Sequence, residues 1–109
     1  MYRVFSTETY DKQVAELPSG YRELIERFER QLAEDPYVGR GLTYRFLREK
    51  RIRERRIYYL VYDDLILVLL VGTSKKKQQQ KTIQDIKKYL PEFKRLAASL
   101  HDSSDSTMS

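Results

Sequence analysis

The sequence predicts an α+β fold, in which an N-terminal helical hairpin packs on a small, mainly antiparallel β-sheet and a C-terminal helix follows. Three observations favour this architecture. Residues 56 to 73 contain two β-prone runs around Asp63 and Asp64, which is typical of a β-hairpin. Residues 21 to 32 repeat apolar side chains at helical spacing, and residues 83 to 100 do the same. A chain of 109 residues has room for one such domain.

The N-terminal elements are marked by their ends and by one apolar face. Residues 2 to 5 are β-prone and short, and Ser6 or Thr7 can cap the helix that follows them. Pro18 and Gly20 end that helix. The next helix ends before residues 35 and 36, an Asp-Pro pair. Its apolar face consists of Tyr21, Leu24, Ile25, Phe28 and Leu32.

The sheet is predicted from the apolar and alternating runs that follow. Residues 65 to 71 are apolar at every position, which is typical of a strand with both faces covered, so they are expected to form the central strand. Residues 42 to 51 alternate apolar and charged side chains and are expected to pair with the hairpin. A turn at residues 52 to 55 joins the two.

Strand pairing outward from the hairpin predicts which side chains share a face. A two-residue loop places Tyr62 opposite Leu65 and Arg56 opposite Val71, and the preceding turn places Arg51 opposite Arg56. One face is expected to meet the helical hairpin and carries Phe46, Ile57, Tyr59, Val61, Ile66, Val68 and Leu70. The other carries cations, tyrosines and leucines: Arg45, Glu49, Arg51, Arg56, Tyr58, Tyr62, Leu65, Leu67 and Leu69.

The C-terminal third predicts a helical seam and then a tail. The seam consists of Ile83, Ile86, Leu90, Phe93, Ala97 and Leu100. Pro91 interrupts it, which predicts a kink or a second helix that begins at the proline. This seam or a partner protein is expected to cover the leucines of the second face. Residues 1–98 are predicted to form one domain, and residues 99–109, which lack an apolar period, a flexible tail.

Composition excludes several classes of function. The chain has no cysteine, which removes disulfides, thiolate nucleophiles and cysteine-ligated zinc. Its one histidine, His101, lies in the predicted tail, away from any catalytic or metal site. The N-terminus lacks the apolar core of a signal peptide, and no apolar run approaches the roughly 20 residues of a membrane span. We therefore expect a soluble, cytoplasmic protein without a cofactor, a metal ion or a membrane partner.

Positive charge is concentrated in two short runs. The net charge is +5, and residues 45 to 56 contain seven arginines and lysines against two glutamates. Lys75, Lys76 and Lys77 form the second run, with Lys81 shortly after it. Clustered cations are typical of a polyanion-binding surface, although a solvated charged surface is the plainer interpretation of either run alone. Their convergence at the ends of adjacent strands favours polyanion binding.

The cationic face offers groups that metal-independent RNA cleavage requires. A base must take the 2′-hydroxyl proton, cations must stabilise the charge that develops on the phosphate, and an acid must protonate the leaving 5′-oxygen. Arg51 and Arg56 can hold the scissile phosphate, because a guanidinium fork matches phosphate oxygens. Glu49 or a lysine is a candidate base. Tyr58 and Tyr62 are candidates to stack on a nucleobase or donate a proton, or else are half-buried strand residues with solvated hydroxyls.

These segments, in this order, resemble the RelE/ParE superfamily of toxins from type II toxin–antitoxin systems, and most closely its archaeal RelE-like members. The matching segments are EDPYVGRGL at 34 to 42, RIYYLVY at 56 to 62 and LVLLVG at 67 to 72. The resemblance covers about residues 2 to 90.

The resemblance implies a ribosome-dependent endoribonuclease, an mRNA interferase that inhibits translation by cutting mRNA in the ribosomal A site and is neutralised by a cognate antitoxin. Arg56 corresponds to the arginine that opens the third strand of the family. The family's basic residues on the preceding strand correspond to some of Arg45, Arg48, Lys50 and Arg51. From the chemistry of the cationic face and this resemblance together, we assign catalytic roles to Arg51, Arg56, Glu49 and Lys75. We assign RNA binding to Arg45, Arg48, Lys50, Tyr58, Tyr62, Lys76 and Lys77.

The chain departs from the RelE pattern after Gly72. Many RelE toxins place an arginine and then a tyrosine there, whereas residues 73 to 80 read TSKKKQQQ and the next tyrosine is Tyr89. Lys75 or Lys76 can replace the arginine, but no residue clearly replaces the tyrosine. Two alternatives therefore stand beside the nuclease. One is a ParE-like inhibitor of DNA gyrase without catalytic activity, and the other is an inactive relative that binds an antitoxin or RNA.

Overall fold

The computed structural model describes residues 1–106, and of residues 104–106 the backbone alone. Five strands, β1 (Arg3–Ser6), β2 (Arg40–Gly41), β3 (Leu47–Ile52), β4 (Arg55–Tyr62) and β5 (Leu67–Lys75), form one sheet in the order β1-β5-β4-β3-β2. Strand β1 is parallel to β5, and the other neighbours are antiparallel. The helices are α1 (Glu8–Ala15), α2 (Arg22–Glu34), α3 (Gln79–Lys88) and α4 (Leu90–Ser106). The predicted α+β class is confirmed.

Helices α1 and α2 cover the first face of the sheet. Helix α1 begins after Thr7, whose Oγ1 accepts a hydrogen bond from the Tyr10 backbone N–H at 3.2 Å, so the predicted cap is confirmed. The apolar side of α2 contributes Ile25, Phe28 and Leu32 to the core. Five of the seven sheet residues predicted for this face lie in the same core cluster: Ile57, Tyr59, Val61, Val68 and Leu70.

Helices α3 and α4 cover the second face. Leu67 and Leu69 are fully buried there against Ile83, Ile86 and Ala97. The helical seam thus covers the leucines, which is one of the two outcomes that the sequence predicted. The sheet lies between two helical layers, and this accounts for the uninterrupted apolar run in β5. Within the described residues, no helix combines the length and apolar character needed to cross a membrane.

The C-terminal helix is longer than predicted. Helix α3 ends at Lys88 and α4 begins at Leu90, so the helical segment is interrupted next to Pro91 as expected. Helix α4 then continues to Ser106 through residues that the sequence placed in a flexible tail. Leu100 packs against the core of the second face, and the Arg3 guanidinium hydrogen-bonds His101 Nδ1, which ties this part of the helix to β1. Residues 107–109 of the predicted tail lie outside the described residues.

The loop between β4 and β5 is longer than the two residues predicted. It spans residues 63–66, so Tyr62 pairs with Leu67 and not with Leu65. Ile66 has φ 50° and is exposed in this loop, and it does not belong to the first face. The tighter turn was expected from the Asp63-Asp64 pair between two β-prone runs, and that pattern does not reveal a β-branched residue at positive φ.

A β-bulge changes the pairing further along the same strands. The register shifts between Tyr58 and Tyr59, which adds one residue on β5. Arg56 consequently lies opposite Ser74, and its predicted pairing with Val71 is wrong. The shift places Arg55, at the start of β4, opposite Lys75, at the end of β5.

The pairing of β3 with β4 is as predicted, although β3 starts later. Residues 42–46 do not belong to the strand, which begins at Leu47. Phe46 packs against the core of the second face, so its assignment to the first face is wrong. The pairs that carry the candidate site are confirmed: Glu49 with Tyr58 and Arg51 with Arg56.

Candidate functional site

A cleft of about 530 Å³ opens at the end of the sheet where β3 turns into β4. The β3–β4 pairing places Arg51 opposite Arg56, and the β4–β5 pairing places Arg55 opposite Lys75, so the two cationic runs meet here. Among the described residues that line this cleft, Glu54 is the one carboxylate. Six are cationic: Arg51, Arg55, Arg56, Lys75, Lys76 and Lys77. We call this the basic cleft, and its charge suits a polyanion.

Arg56 lies at the back of the basic cleft against a buried carboxylate. Its side chain is 11% exposed, and its Nε lies 3.7 Å from Glu49 Oε1. Glu49 is 6% exposed and has two further partners, Arg40 Nη2 at 3.4 Å and Gln79 Nε2 at 2.7 Å. A carboxylate enclosed in this way is a counter-charge for Arg56, and it is closed to a substrate in the cleft.

The two strand tyrosines, Tyr58 and Tyr62, are buried. The sequence predicted rings that stack on a nucleobase or are half-buried with solvated hydroxyls, so both are less exposed than predicted. Tyr58 is fully buried, and its hydroxyl lies 2.9 Å from Ser74 Oγ. Burial raises the pKa of Tyr58, and the hydrogen bond with Ser74 opposes this rise. Tyr62 is 9% exposed, and burial, with the nearby charge of Asp64, raises its pKa to about 12. Helices α3 and α4 cover the face on which these rings were expected to meet a nucleobase.

Arg45 belongs to a different cluster at the opposite end of the sheet. β4 separates the two ends by about 20 Å, given the rise of a strand. The Arg45 guanidinium lies 4.0 Å from the centre of the Tyr37 ring and 3.6 Å from Asp63 Oδ2. The hydroxyls of Tyr37 and Tyr2 donate to the Asp63 carboxylate at 2.6 and 2.7 Å. We call these four residues the tyrosine–aspartate cluster.

A second, more apolar cleft adjoins the tyrosine–aspartate cluster. Its volume is about 620 Å³, and Phe46, Tyr62 and Leu90 contribute to its walls. Arg45 and Lys94 line it together with Asp63. Positive charge at this end is thus accompanied by carboxylates.

Arg48 and Lys50 also lie away from the basic cleft. The Arg48 guanidinium donates to the backbone carbonyl oxygens of Arg45 at 2.9 Å, Tyr37 at 3.2 Å and Gly39. It therefore holds the segment that leads into β2. Lys50 is half-buried and lies opposite Ile57, whose side chain is on the first face. Of the cations assigned to RNA binding, Arg45, Arg48 and Lys50 are not brought to the cleft, whereas Lys76 and Lys77 are.

Sequence reasoning missed several residues of the site. Arg55 lines the basic cleft and belongs to the cationic run, so its position in the turn is the signal that could have identified it. Tyr21 lines the cleft too, and the Arg53 guanidinium lies 5.8 Å from the centre of its ring. Gln79 gave no signal, because it belongs to a short polar run and reaches Glu49 across 30 positions of the chain.

Comparison with known proteins gives structural matches alone. No family model matches, and neither does any curated relative. A mutant of E. coli toxin RelE in the free state superposes with a TM-score of 0.68 at 19% identity, over 80% of this chain and 96% of that chain. The intact E. coli RelBE toxin–antitoxin complex gives 0.62 at 20% identity, over 69% and 96%. The archaeal RelE–RelB complex from Pyrococcus horikoshii gives 0.59 at 18% identity, over 69% and 94%. The chain therefore has the fold of RelE toxins.

Proposed function

We propose that this chain is the toxin of a type II toxin–antitoxin system and that it cuts mRNA on the ribosome without a metal ion. The observation that carries this proposal is the basic cleft, in which Arg56 is held from behind by the buried carboxylate of Glu49. The fold of RelE toxins supports it independently.

In the proposed reaction, the RNA supplies its own nucleophile. The 2′-oxygen attacks the adjacent phosphorus, the P–O5′ bond breaks, and a 2′,3′-cyclic phosphate and a 5′-hydroxyl result. Arg56 and Arg51 stabilise the charge on the non-bridging oxygens, because two guanidinium groups on paired positions can share one phosphate. Glu49 limits the motion of Arg56 before the substrate arrives, which reduces the entropy lost on binding.

The two proton transfers fall to the groups that line the basic cleft. A base takes the proton of the 2′-hydroxyl, and an acid protonates the departing 5′-oxygen. Glu49 has three partners and Tyr58 is buried, so neither reaches a substrate. Glu54 and Lys75 line the cleft and are the candidates for these roles, with the neighbouring Lys76 and Lys77 in reach of the same substrate.

A cognate antitoxin, the ribosome and mRNA are the proposed partners, and the cytoplasm is the proposed location. Several matching structures are complexes of a RelE toxin with its RelB antitoxin. An acidic segment of an antitoxin would complement the basic cleft and neutralise the charges that RNA would otherwise meet.

Purified ribosomes programmed with a defined mRNA test the proposal. The protein should cut the message, and Arg56→Ala should reduce the cleavage rate about 100-fold, as loss of a transition-state donor does. Arg56→Lys should recover part of the rate, because a point charge cannot reproduce the guanidinium fork. Arg27→Ala is the matched control, since Arg27 is an exposed arginine that pairs with Glu23 on α2. Circular dichroism must show each variant folded at the assay temperature. Intact mRNA with the unmutated protein would refute the nuclease.

A ParE-like inhibitor of DNA gyrase is the second candidate. The burial of Tyr58 and the lack of a tyrosine in residues 73 to 80 favour it, because both remove a proton donor next to Arg56. A supercoiling assay with purified gyrase separates the two candidates. Inhibition of gyrase together with uncut mRNA would establish the inhibitor.

A further inference from the structure

Three buried or half-buried polar side chains connect the start of α3 to the basic cleft. Gln79 is the first residue of α3, and its Nε2 donates to Glu49 Oε2 at 2.7 Å. The other carboxylate oxygen of Glu49 lies 3.7 Å from Arg56 Nε. The contacts thus run from α3 through β3 to β4, and they end at a side chain that lines the cleft.

The bond from Gln79 determines how the Glu49 carboxylate is turned. A buried carboxylate needs a donor at each oxygen. Oε1 faces Arg40 Nη2 at 3.4 Å and Arg56 Nε at 3.7 Å, whereas Oε2 has the 2.7 Å bond from Gln79. The short bond constrains the carboxylate more than the two long contacts do. Without it, the carboxylate can rotate, and Oε1 then moves relative to Arg56.

The contact between Glu49 and Arg56 is long, so the position of the Arg56 guanidinium can change when the Glu49 carboxylate rotates. The 3.7 Å between Arg56 Nε and Glu49 Oε1 is an ion-pair distance and is longer than the donor–acceptor distance of a hydrogen bond. Arg56 Nε is buried and has no hydrogen-bond partner among the described residues. The attraction of the carboxylate therefore holds the guanidinium without a directed bond, and a rotation of Glu49 changes where it is held.

We propose that Gln79 and Glu49 are positioning residues for Arg56, so that the orientation of this arginine in the basic cleft depends on the position of α3. A displacement of the start of α3 would then change the orientation of Arg56 through Gln79 and Glu49. The effect on RNA cleavage rests on the proposed function, but the effect on Arg56 itself does not.

Gln79→Ala tests the arrangement directly, and Gln80→Ala is the matched control. Gln80 is the next residue of the same helix and is exposed. The readout is hydrogen exchange of the Arg56 Nε–H, followed by NMR and assigned by its loss in Arg56→Lys. Gln79→Ala should accelerate this exchange about 10-fold, the factor expected when a hydrogen bond to a charged group no longer holds the network. Gln80→Ala should leave it unchanged.

Glu49→Gln provides a second approach that does not depend on Gln79. Its amide keeps the size of the side chain but removes the charge that faces Arg56, so exchange of the Arg56 Nε–H should again accelerate. Adding Gln79→Ala to Glu49→Gln should then produce little further change, because Gln79 acts through Glu49. Full additivity of the two substitutions would overturn the proposed relay.

Cleavage on ribosomes provides the functional measurement. Gln79→Ala should lower kcat about 10-fold and leave KM nearly unchanged, because Lys75, Lys76 and Lys77 still bind the RNA backbone. An unchanged Arg56 signal in both Gln79→Ala and Glu49→Gln would overturn the inference whatever the protein does to mRNA. A changed Arg56 signal in a protein that never cuts mRNA would refute the proposed nuclease and leave the positioning role intact.

Discussion

The two ends of the sheet differ in how they balance charge. In the tyrosine–aspartate cluster, Asp63 accepts hydrogen bonds from Tyr2 and Tyr37 and pairs with Arg45, so positive and negative groups are matched within the chain. In the basic cleft, six cations surround one carboxylate among the described lining residues. Like charges this close repel one another, and an external anion would relieve the repulsion. The comparison indicates which end is prepared for a ligand.

Protonation at the tyrosine–aspartate cluster agrees with this contrast. The hydrogen bonds from Tyr2 and then Tyr37 lower the pKa of Asp63, and the charge of Arg45 adds to the effect. Burial, followed by the bond to Asp63, raises the pKa of Tyr37 to about 12. The carboxylate is thus charged and the phenol neutral across the physiological range. The four residues of the tyrosine–aspartate cluster thus have one another as partners.

Removing one arginine from each end tests the comparison most strongly. Arg56→Ala should lower the free energy of unfolding by about 3 kcal/mol, because it takes the cation from a buried carboxylate. Arg45→Ala removes an exposed partner, so its loss should stay below about 1 kcal/mol. Repulsion between the paired Arg51 and Arg56 would favour the alanine variant, but loss of the cation beside the buried Glu49 carboxylate should outweigh it. Urea denaturation measures both variants, and equal losses would show that Glu49 does not depend on Arg56.

The salt dependence of RNA binding should distinguish the ends next. Replacing Lys75, Lys76 and Lys77 together with alanine should reduce the slope of log K against log salt by about 2, since each phosphate contact to single-stranded RNA contributes about 0.7. The double substitution of Arg45 and Lys94 by alanine removes two cations at the opposite end and should leave the slope unchanged. Fluorescence anisotropy with a short oligonucleotide provides the measurement. A larger change of slope in the double variant would indicate that RNA binds at the more apolar cleft, next to Arg45 and Lys94.

The faces of the sheet were predictable even where the register was wrong. From Tyr59 to Tyr62 the observed pairing differs from the predicted one by two residues, and a shift of two keeps the paired side chains on their faces. Val68 and Leu70 therefore lie where the sequence placed them. The loop length was not predictable, because it depends on Ile66 at positive φ, a conformation that its residue type disfavours.

The candidate site was predictable only where it is local in sequence. Arg51 and Arg56 meet across a short turn, and alternation in the neighbouring strands is enough to pair them. Alternation also placed Tyr58 on the second face, but it carries no information on whether helices cover that face. Gln79 reaches Glu49 from a polar run without periodicity. Contacts of this kind depend on where α3 packs, and the packing is not visible in local patterns.

Backbone strain can also be compared between the two ends of the sheet, because among the described residues each end has one non-glycine residue at positive φ. Ile66 has φ 50° in the β4–β5 loop, and Arg53 has φ 54° in the β3–β4 turn. The left-handed conformation costs an L-residue about 1–2 kcal/mol, and glycine avoids this but loses more entropy on folding. Ile66→Gly should therefore raise the unfolding free energy by about 1 kcal/mol. Arg53→Gly should raise it less, because arginine is not branched at Cβ. Thermal melts of both variants measure these changes in stability. Destabilisation by Ile66→Gly would mean that the isoleucine makes contacts that offset its strain.

The smallest expected effect is the pH dependence contributed by Asp63. Its pKa is lowered in the folded protein, so the stability it provides is present above its unfolded pKa of about 3.9 and is lost as the pH falls through the lower folded value. Asp63→Asn keeps an oxygen that can accept from the tyrosines but cannot titrate. Unmutated protein should therefore be more stable than Asp63→Asn at neutral pH, and this difference should shrink below about pH 4.

The size of that difference is limited by solvent. The Asp63 side chain is 52% exposed, so the effect should stay below about 1 kcal/mol. Asp64→Asn is the matched control, because Asp64 is the next carboxylate in the same loop and accepts no tyrosine hydrogen bond among the described residues. Urea denaturation at a series of pH values from 3 to 7 provides the measurement. If Asp64→Asn removed as much acid dependence as Asp63→Asn, the balance at this end would be a general property of the acidic loop, and the tyrosines would not be its cause.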